Sequence, residues 1–95
     1  MTDVYIDKKF NELKIDGERI WLTKREFNLF CYLFENKDHI VSANLLLTEV
    51  WGYLSDIESR VISIYISYLR KKLIGNGVKI ITHVGLGYQM KVGDL

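Results

Sequence analysis

The chain has 95 residues, of which 48% are apolar and 26% charged, and a formal net charge of +1, the balance of one globular domain with a modest core rather than of a disordered chain. No apolar run approaches the roughly 20 residues of a membrane-spanning helix, and the first residues lack the apolar stretch of a signal peptide. Cys31 is the one cysteine, so an internal disulfide is excluded. These exclusions favour a cytoplasmic protein, and we expect Cys31 to be a small buried side chain.

The first part of the chain is predicted to form a small antiparallel sheet and a helix. Apolar and polar residues alternate over about 3–22, which predicts three or four short strands, and Asp16-Gly17 is a typical hairpin turn. Thr23 and Glu26 then form a capping box, in which each side chain accepts a backbone N–H of the other residue. The apolar spacing that follows predicts a first helix over about 23–36.

Two more helices are predicted to follow. Ser42 is a suitable N-cap for a helix over about 42–52, and Ser55 with Glu58 is a second candidate capping box before a helix over about 57–74. At about 100° per residue, one side of this third helix forms a narrow core stripe and the opposite side is mainly polar. The stripe is Ile62, Ile66, Leu69 and Leu73, and the opposite side carries Arg60, Ser63, Ile64, Ser67, Arg70 and Lys71.

The C-terminal segment is predicted to be a β-hairpin, the wing, over about 79–92. It pairs 79–83 with 87–92 across a turn from Val84 to Leu86. Strands, three helices and a hairpin, in this order, predict an α+β fold, a winged helix-turn-helix in a single domain over 1–95. In that architecture the third helix enters the major groove of DNA, and the wing lies on the adjacent backbone or in the minor groove.

The charges are unevenly distributed along the chain. Residues 59–92 contain six Lys or Arg and no Asp or Glu, whereas the first 58 residues contain seven Lys or Arg and eleven Asp or Glu. The acid-free stretch coincides with the third helix and the wing. A cationic face built from a helix and a β-ribbon is suited to a polyphosphate, which favours double-stranded DNA as the partner.

Four segments of the chain also resemble a known family. LTKREFNLFCYLFEN, LLLTEVWG, SRVISIYISYLRKKL and THVGLGY are similar, in order and spacing, to the effector domain of OmpR/PhoB-type response regulators. The resemblance implies a four-stranded N-terminal sheet, three helices and a C-terminal hairpin. It also implies sequence-specific DNA binding, usually as a head-to-tail dimer on promoter direct repeats, and contact of the loop 52–58 with RNA polymerase. The predicted polymerase-contact residues are Gly52, Tyr53, Leu54, Ser55 and Asp56.

The outward face of the third helix carries most of the predicted DNA contacts. Arg60 matches a family position that contacts a phosphate, with a solvated surface charge as the alternative. Ile64 points away from the core stripe, so the methyl group of thymine would be its apolar partner in the major groove; the alternative is packing against the wing or the sheet. Arg70 and Lys71 are expected to meet phosphates, whereas Lys72 lies off this face and is expected to be solvated. The full set is Arg60, Ser63, Ile64, Ser67, Tyr68, Arg70 and Lys71.

The other predicted contacts come from the second helix and the wing. By the resemblance, the indole N–H of Trp51 contacts a phosphate while its ring is half core, and Thr82 contacts the DNA backbone. Where the family reads T-V-R-G this chain reads T-H-V-G, so Val84 replaces an arginine that often enters the minor groove. Side chains alternate along a strand, so His83, one residue earlier, is expected on the face opposite that of Val84. We therefore expect weaker or more cooperative DNA binding than in a typical relative. This set is Trp51, Thr82, His83 and Val84.

Other classes of function fit these residues less well. No nucleophile–base motif, phosphate-binding loop or metal-ligand spacing is present, so we predict neither an enzyme nor a metal or cofactor site. One alternative is a winged helix that docks a protein, because the wing lacks arginine. Another is the cytoplasmic DNA-binding domain of a ToxR-like transmembrane regulator. We expect an excised response-regulator effector domain instead, whose phosphoacceptor receiver domain lies outside these residues.

Overall fold

A computed structural model of the protein describes residues 2–52 and 60–93. The fold is α+β and has the predicted order of an N-terminal antiparallel sheet, three helices and a C-terminal β-hairpin wing. In chain order the elements are β1 (Val4–Asp7), β2 (Glu12–Ile15), β3 (Glu18–Ile20), α1 (Lys24–Glu35), α2 (Ala43–Leu46) with a π-helical continuation (Leu47–Gly52), α3 (Arg60–Lys72), β4 (Val78–His83) and β5 (Gly87–Val92).

Within the described residues, the N-terminal sheet has three strands, in the order β1-β2-β3, and not the four that the family resemblance implied. The segment between β1 and β2 is a tight turn, in which the Asp7 carboxylate accepts the N–H groups of Lys9 and Phe10. The turn between β2 and β3 is the predicted hairpin: Asp16 and Gly17 have φ angles of 52° and 81°, and positive φ at both positions is the geometry that Asp-Gly favours.

Helix α1 begins at the predicted capping box. The Thr23 hydroxyl accepts the Glu26 N–H at 3.3 Å, and the Glu26 carboxylate accepts the Thr23 N–H at 2.8 Å. Cys31 is buried in this helix, as predicted, with 5% of its surface exposed. Burial raises the pKa of its thiol to about 11, because the thiolate would lose hydration. At neutral pH Cys31 is therefore a protonated, apolar packing residue.

The second helix begins as predicted and then changes its winding. The Ser42 hydroxyl accepts the Leu45 N–H at 3.1 Å and so caps α2. After Leu46 the chain continues in a π-helical turn, which ends at Gly52 with a φ of 96°. A π-helical turn holds more residues than an α-helical one. The side chains that follow Leu46 therefore face directions that the α-helical period does not predict.

Helix α3 lies across the domain with the predicted core stripe on its inner side. Three residues of the stripe are fully buried and Leu73 is 4% exposed. They join side chains of β2, α1 and the wing in one hydrophobic core. The predicted start of this helix and the candidate capping box at Ser55 and Glu58 lie outside the described residues. The core residues that surround α3 include Leu13, Ile15, Phe27, Phe30, Ile80 and Met90.

The wing is held against the start of the second helix by a backbone bridge. The Val41 N–H donates to the Tyr88 carbonyl at 2.8 Å, and the Tyr88 N–H donates to the Val41 carbonyl at 2.9 Å. Next to the bridge, Gly87 has a φ of 148°, and a Cβ there would lie 2.1 Å from the Val41 carbonyl oxygen. Only glycine permits this approach. The bridge thereby fixes β5 of the wing against the segment that leads into α2.

Candidate nucleic-acid interface

The outward side of α3 is a continuous exposed surface. All seven residues that the sequence assigned to it are exposed. Ile64 is 44% exposed, so a large part of this aliphatic side chain is open to a ligand. The Ser63 hydroxyl donates to the Arg60 carbonyl at 2.8 Å, so part of its hydrogen-bonding capacity is used within the helix. This surface offers three cations, Arg60 at its start and Arg70 and Lys71 at its end, together with hydroxyl groups, one aliphatic side chain and one aromatic ring.

Arg70 connects this helix to the wing. Its Nε and Nη2 groups donate to the Ile80 carbonyl at 3.1 and 2.8 Å, and Nη2 also donates to the Thr82 hydroxyl oxygen at 2.6 Å. The sequence grouped Arg70 with Lys71 as phosphate ligands and contained no signal for these bonds. Lys71, one residue further on, is exposed.

An aromatic row runs from the second helix to the exposed side of α3. The half-buried ring of Trp51 meets Tyr65 edge to face, with centroids 5.2 Å apart, and Tyr65 meets Tyr68 in the same way at 5.5 Å. The Arg25 guanidinium lies 5.0 Å from the Trp51 ring centroid and donates to the Val50 carbonyl at 2.8 Å. The Tyr68 ring, 45% exposed, is the end of this row that a ligand on α3 would meet.

The wing residues differ in what they present. Thr82 is exposed, and Val84 at the tip is 92% exposed. His83 follows Thr82 in β4, so alternation along the strand puts it on the opposite face, and its Nε2 lies 3.0 Å from the Gln89 side-chain oxygen. Leu86, also at the tip, is 64% exposed. No role was predicted for it, although its position between Gly85 and Gly87 of the predicted turn indicates exposure.

Lys72 is not simply solvated, which corrects the expectation from the helix period. Its Nζ lies 2.5 Å from Oε1 of Glu26, a carboxylate that is 4% exposed. Burial alone would raise the pKa of Glu26, but the hydrogen bond from Lys72 and the backbone N–H of Thr23 outweigh it, so this pKa lies below its ordinary value. The carboxylate is therefore ionised at neutral pH and fixes the end of α3 against α1.

The cations of residues 60–92 do not all lie on one face. Lys79 and Lys91 are opposite each other in the hairpin, and alternation along β4 puts Lys79 on the face opposite Thr82. Lys72 is turned towards α1. The cations that border the outward face of α3 are therefore Arg60, Arg70 and Lys71.

Most of the predicted polymerase-contact loop lies outside the described residues. Gly52 is described and exposed. Tyr53, Leu54, Ser55 and Asp56 belong to the segment 53–59, about which the structure makes no statement.

Residues 2–52 and 60–93 contain neither a cluster of metal ligands nor a membrane-spanning helix. No three His, Cys, Asp or Glu side chains are grouped so that they could hold a metal ion. In the same part of the chain, every helix is too short or too polar to span a membrane.

Comparison with known proteins identifies the family. The family "Transcriptional regulatory protein, C terminal" matches residues 17–90. The chain belongs to this family, that of OmpR/PhoB-type effector domains. The resemblance read from the four sequence segments is thereby confirmed. The family comprises regulators of transcription and is not an enzyme class.

Individual relatives of this OmpR/PhoB-type domain agree in sequence and fold. Response regulator ArlR of Staphylococcus saprophyticus is 38% identical over 90 residues, which are 93% of the chain and 41% of that protein. The crystal structure of the Bacillus subtilis CssR DNA-binding domain is 30% identical, with a TM-score of 0.80, over 94% of this chain and 100% of that one. The Klebsiella pneumoniae RstA DNA-binding domain, solved in complex with the RstA box, is 27% identical, with a TM-score of 0.79, over 93% and 94%. The chain thus spans about two-fifths of the length of ArlR.

Proposed function

We propose that the chain binds double-stranded DNA sequence-specifically, as the effector domain of a two-component transcriptional regulator. In this proposal α3 enters the major groove and the wing lies on the adjacent backbone or in the minor groove. The observation that carries it is the outward side of α3: seven exposed residues within a stretch of 34 residues that has no carboxylate. A duplex is a polyanion, and an acid-free helix that fits its groove is the surface it would select.

The exposed side chains of α3 have two proposed roles, contact with phosphates and contact with base edges. Arg60 and Lys71 border the face and are suited to phosphates, which hold the protein in register on the duplex. Ser63, Ile64 and Ser67 lie between them and face the base edges, where a hydroxyl meets either kind of base and an aliphatic group meets the thymine methyl. The central residues therefore carry the sequence preference and the outer ones carry affinity.

Two further contacts support the same orientation. The Tyr68 ring lies at the exposed end of the aromatic row that begins at Trp51, so the two residues border one side of the proposed groove contact. Thr82 contributes a hydroxyl from the wing, and Val84 reaches out from its tip in place of an arginine. Because the tip is uncharged and His83 bonds to Gln89, we expect lower affinity than in relatives with a cationic wing.

The named relatives support this role. RstA was solved in complex with the RstA box, and the CssR domain is named a DNA-binding domain. ArlR is named a response regulator, which favours a receiver domain elsewhere in the same protein, a phosphorelay signal and a cytoplasmic location. A head-to-tail homodimer on direct repeats and contact of the loop 52–58 with RNA polymerase belong to the same proposal.

Selection from a random duplex library tests the proposal without knowledge of the target. Immobilised 95-residue protein is offered random duplexes at low salt, and the bound DNA is amplified and reselected. The proposal predicts enrichment of one motif, repeated in the same orientation. Lys71→Glu, on the outward face of α3, should abolish the enrichment. Lys9→Glu makes the same charge change in the exposed β1–β2 turn and serves as the matched control. Absence of any enriched motif with the wild-type protein would contradict sequence-specific binding.

One observation favours a second candidate, a winged helix that docks a protein. Val84 and Leu86 form an exposed apolar wing tip, 92% and 64% exposed, where DNA-binding relatives often carry arginine. The absence of carboxylates from residues 59–92 argues against it, because a protein interface has no reason to exclude them. The selection distinguishes the two candidates, since a protein-docking wing would enrich no DNA motif.

A further inference from the structure

Arg70 grips the wing at two residues rather than one. Its Nε and Nη2 groups converge on the Ile80 carbonyl at 3.1 and 2.8 Å, and Nη2 reaches the Thr82 hydroxyl at 2.6 Å. The fork shape of a guanidinium allows these bonds to form together, which a single ammonium centre cannot reproduce. Three of the five N–H donors of Arg70 are thus engaged within the protein.

The bond from Arg70 determines whether the Thr82 hydroxyl acts as a hydrogen-bond donor or acceptor towards a ligand. A guanidinium has no acceptor, so in the Arg70–Thr82 bond the hydroxyl oxygen must accept. The hydroxyl proton is then directed elsewhere, towards an acceptor. Thr82 is exposed, so this acceptor would come from outside the domain. A phosphate oxygen accepts hydrogen bonds and carries the negative charge that the nearby guanidinium favours.

We propose, on the basis of the DNA binding proposed above, that Arg70 is a positioning residue: it fixes the wing against α3 and makes Thr82 a hydrogen-bond donor to a phosphate of the bound duplex. This differs from the sequence expectation, in which Arg70 itself is a phosphate ligand like Lys71. The direct contact is made by Thr82, as the family resemblance implies, and the new element is the role of Arg70. Arg70 sets the distance between α3 and the wing. Its guanidinium also places a positive charge next to the Thr82 hydroxyl.

A charge-conserving substitution distinguishes a positioning role of Arg70 from a direct contact of its charge with a phosphate. Arg70→Lys keeps the positive charge but loses the forked grip on Ile80 and Thr82. A positioning role predicts that its DNA affinity falls about tenfold, as expected for the loss of a charge-assisted hydrogen bond. Thr82→Val removes the hydroxyl at nearly the same volume and should cause a similar loss, whereas Thr82→Ser keeps the hydroxyl and should bind like the wild-type chain. Lys9→Arg, in the exposed β1–β2 turn away from α3 and the wing, is the control and should also leave affinity unchanged.

The double variant tests whether Arg70 acts through Thr82. With the motif obtained by selection, the affinities of wild type, Arg70→Lys, Thr82→Val and the double variant form a cycle. The positioning role predicts that Arg70→Lys adds little once Thr82 is Val, because the hydroxyl it orients is already gone. Thermal unfolding of each variant verifies that the compared proteins are folded. A charge contact independent of Thr82 would instead give additive losses and would overturn the inference.

The grip can also be observed without DNA. In NMR spectra of the free wild-type chain, the Arg70 Nε proton should exchange slowly with water, because it is bonded to the Ile80 carbonyl. Exchange as fast as in the urea-unfolded chain would show that the hydrogen bond between Arg70 and the wing is not formed. An Arg70→Lys variant that binds as tightly as wild type would overturn the inference while DNA binding stands. Failure of the wild-type chain to bind any duplex would overturn both proposals.

Discussion

The ammonium of Lys72 lies 2.5 Å from Oε1 of Glu26, and this bond joins the last turn of α3 to the first turn of α1. The same carboxylate oxygen accepts the Thr23 N–H at 2.8 Å. Glu26 is almost completely buried, so its charge requires both donors. The capping box of α1 thus also sets the position of the helix that carries the proposed DNA contacts.

Lys72→Met should destabilise the domain by about 2 kcal/mol, because it leaves a buried carboxylate with one donor fewer. Urea unfolding at neutral pH measures this loss. Lys71→Met, the neighbouring exposed lysine, is the control and should change the unfolding free energy by less than about 0.5 kcal/mol. Equal effects of the two substitutions would contradict a structural role for the Glu26–Lys72 pair.

The same pair predicts how stability depends on pH. The pKa of Glu26 in the folded domain lies below its ordinary value of 4.5, so the pair contributes stability above pH 4.5 that is lost as pH falls through the folded value. The difference in unfolding free energy between wild type and Lys72→Met should therefore shrink in acid. Unfolding curves between neutral pH and the acid limit of folding measure it, and a difference that is constant over this range would contradict the account.

Gly87→Ala should be much more damaging than Gly85→Ala. Both glycines have positive φ, so each substitution costs about 1–2 kcal/mol of backbone strain. A Cβ at Gly85 meets nothing within 4 Å, whereas one at Gly87 would lie 2.1 Å from the Val41 carbonyl oxygen and force the bridge to Tyr88 apart, an additional cost of about 2–3 kcal/mol. Urea unfolding compares the two, and similar losses would show that the bridge does not hold the wing.

Val84→Arg should restore the charge that the wing tip lacks. Val84 is 92% exposed, so the new guanidinium is free to reach the duplex. One added phosphate contact raises the dependence of log affinity on log salt concentration by roughly 0.9. Fluorescence anisotropy of the selected duplex over a salt series measures this slope. Val84→Gln, which has a similar length and no charge, should leave the slope unchanged; an equal response of both variants would mean that the tip does not approach DNA.

Ile64 should make binding sensitive to a single methyl group. Replacing thymine by uracil in the selected site removes the C5-methyl that Ile64 is proposed to meet, at a cost of about 0.8 kcal/mol, or about fourfold in affinity. Ile64→Ala should lose this sensitivity. Ile74→Ala, an exposed isoleucine beyond the end of α3, should retain it. Equal binding of thymine and uracil at every position would exclude the proposed contact.

Local signals in the sequence predicted much of this fold. Asp16-Gly17, the capping box at Thr23 and Glu26, and the buried stripe of α3 each depend on neighbours within one turn of the chain, and the structure confirms all of them. The exposure of the outward α3 residues follows from the same helical period, since burying one stripe leaves the opposite one free.

Contacts between distant parts of the chain could not be predicted in this way. The helical period of α3 predicted that Lys72 lies off the DNA-binding face. It contained no information about Glu26, which lies 46 residues away in the sequence. It likewise grouped Arg70 with Lys71, although Arg70 bonds to the wing. The π-helical turn after Leu46 escaped prediction because the assumed period was that of an α-helix. Which outward residues reach DNA is a question of the partner's geometry, and on this point the assignments stay predictions.

Chemical-shift mapping of the isotope-labelled 95-residue chain, titrated with the selected duplex at low salt, tests the central claim most directly. The account predicts that backbone amide shifts change along α3, Arg60–Lys72, and along the wing, Val78–Val92. The N-terminal sheet should remain unaffected. Changes confined to the sheet, or no changes in α3, would contradict the proposal that this face of the molecule binds DNA.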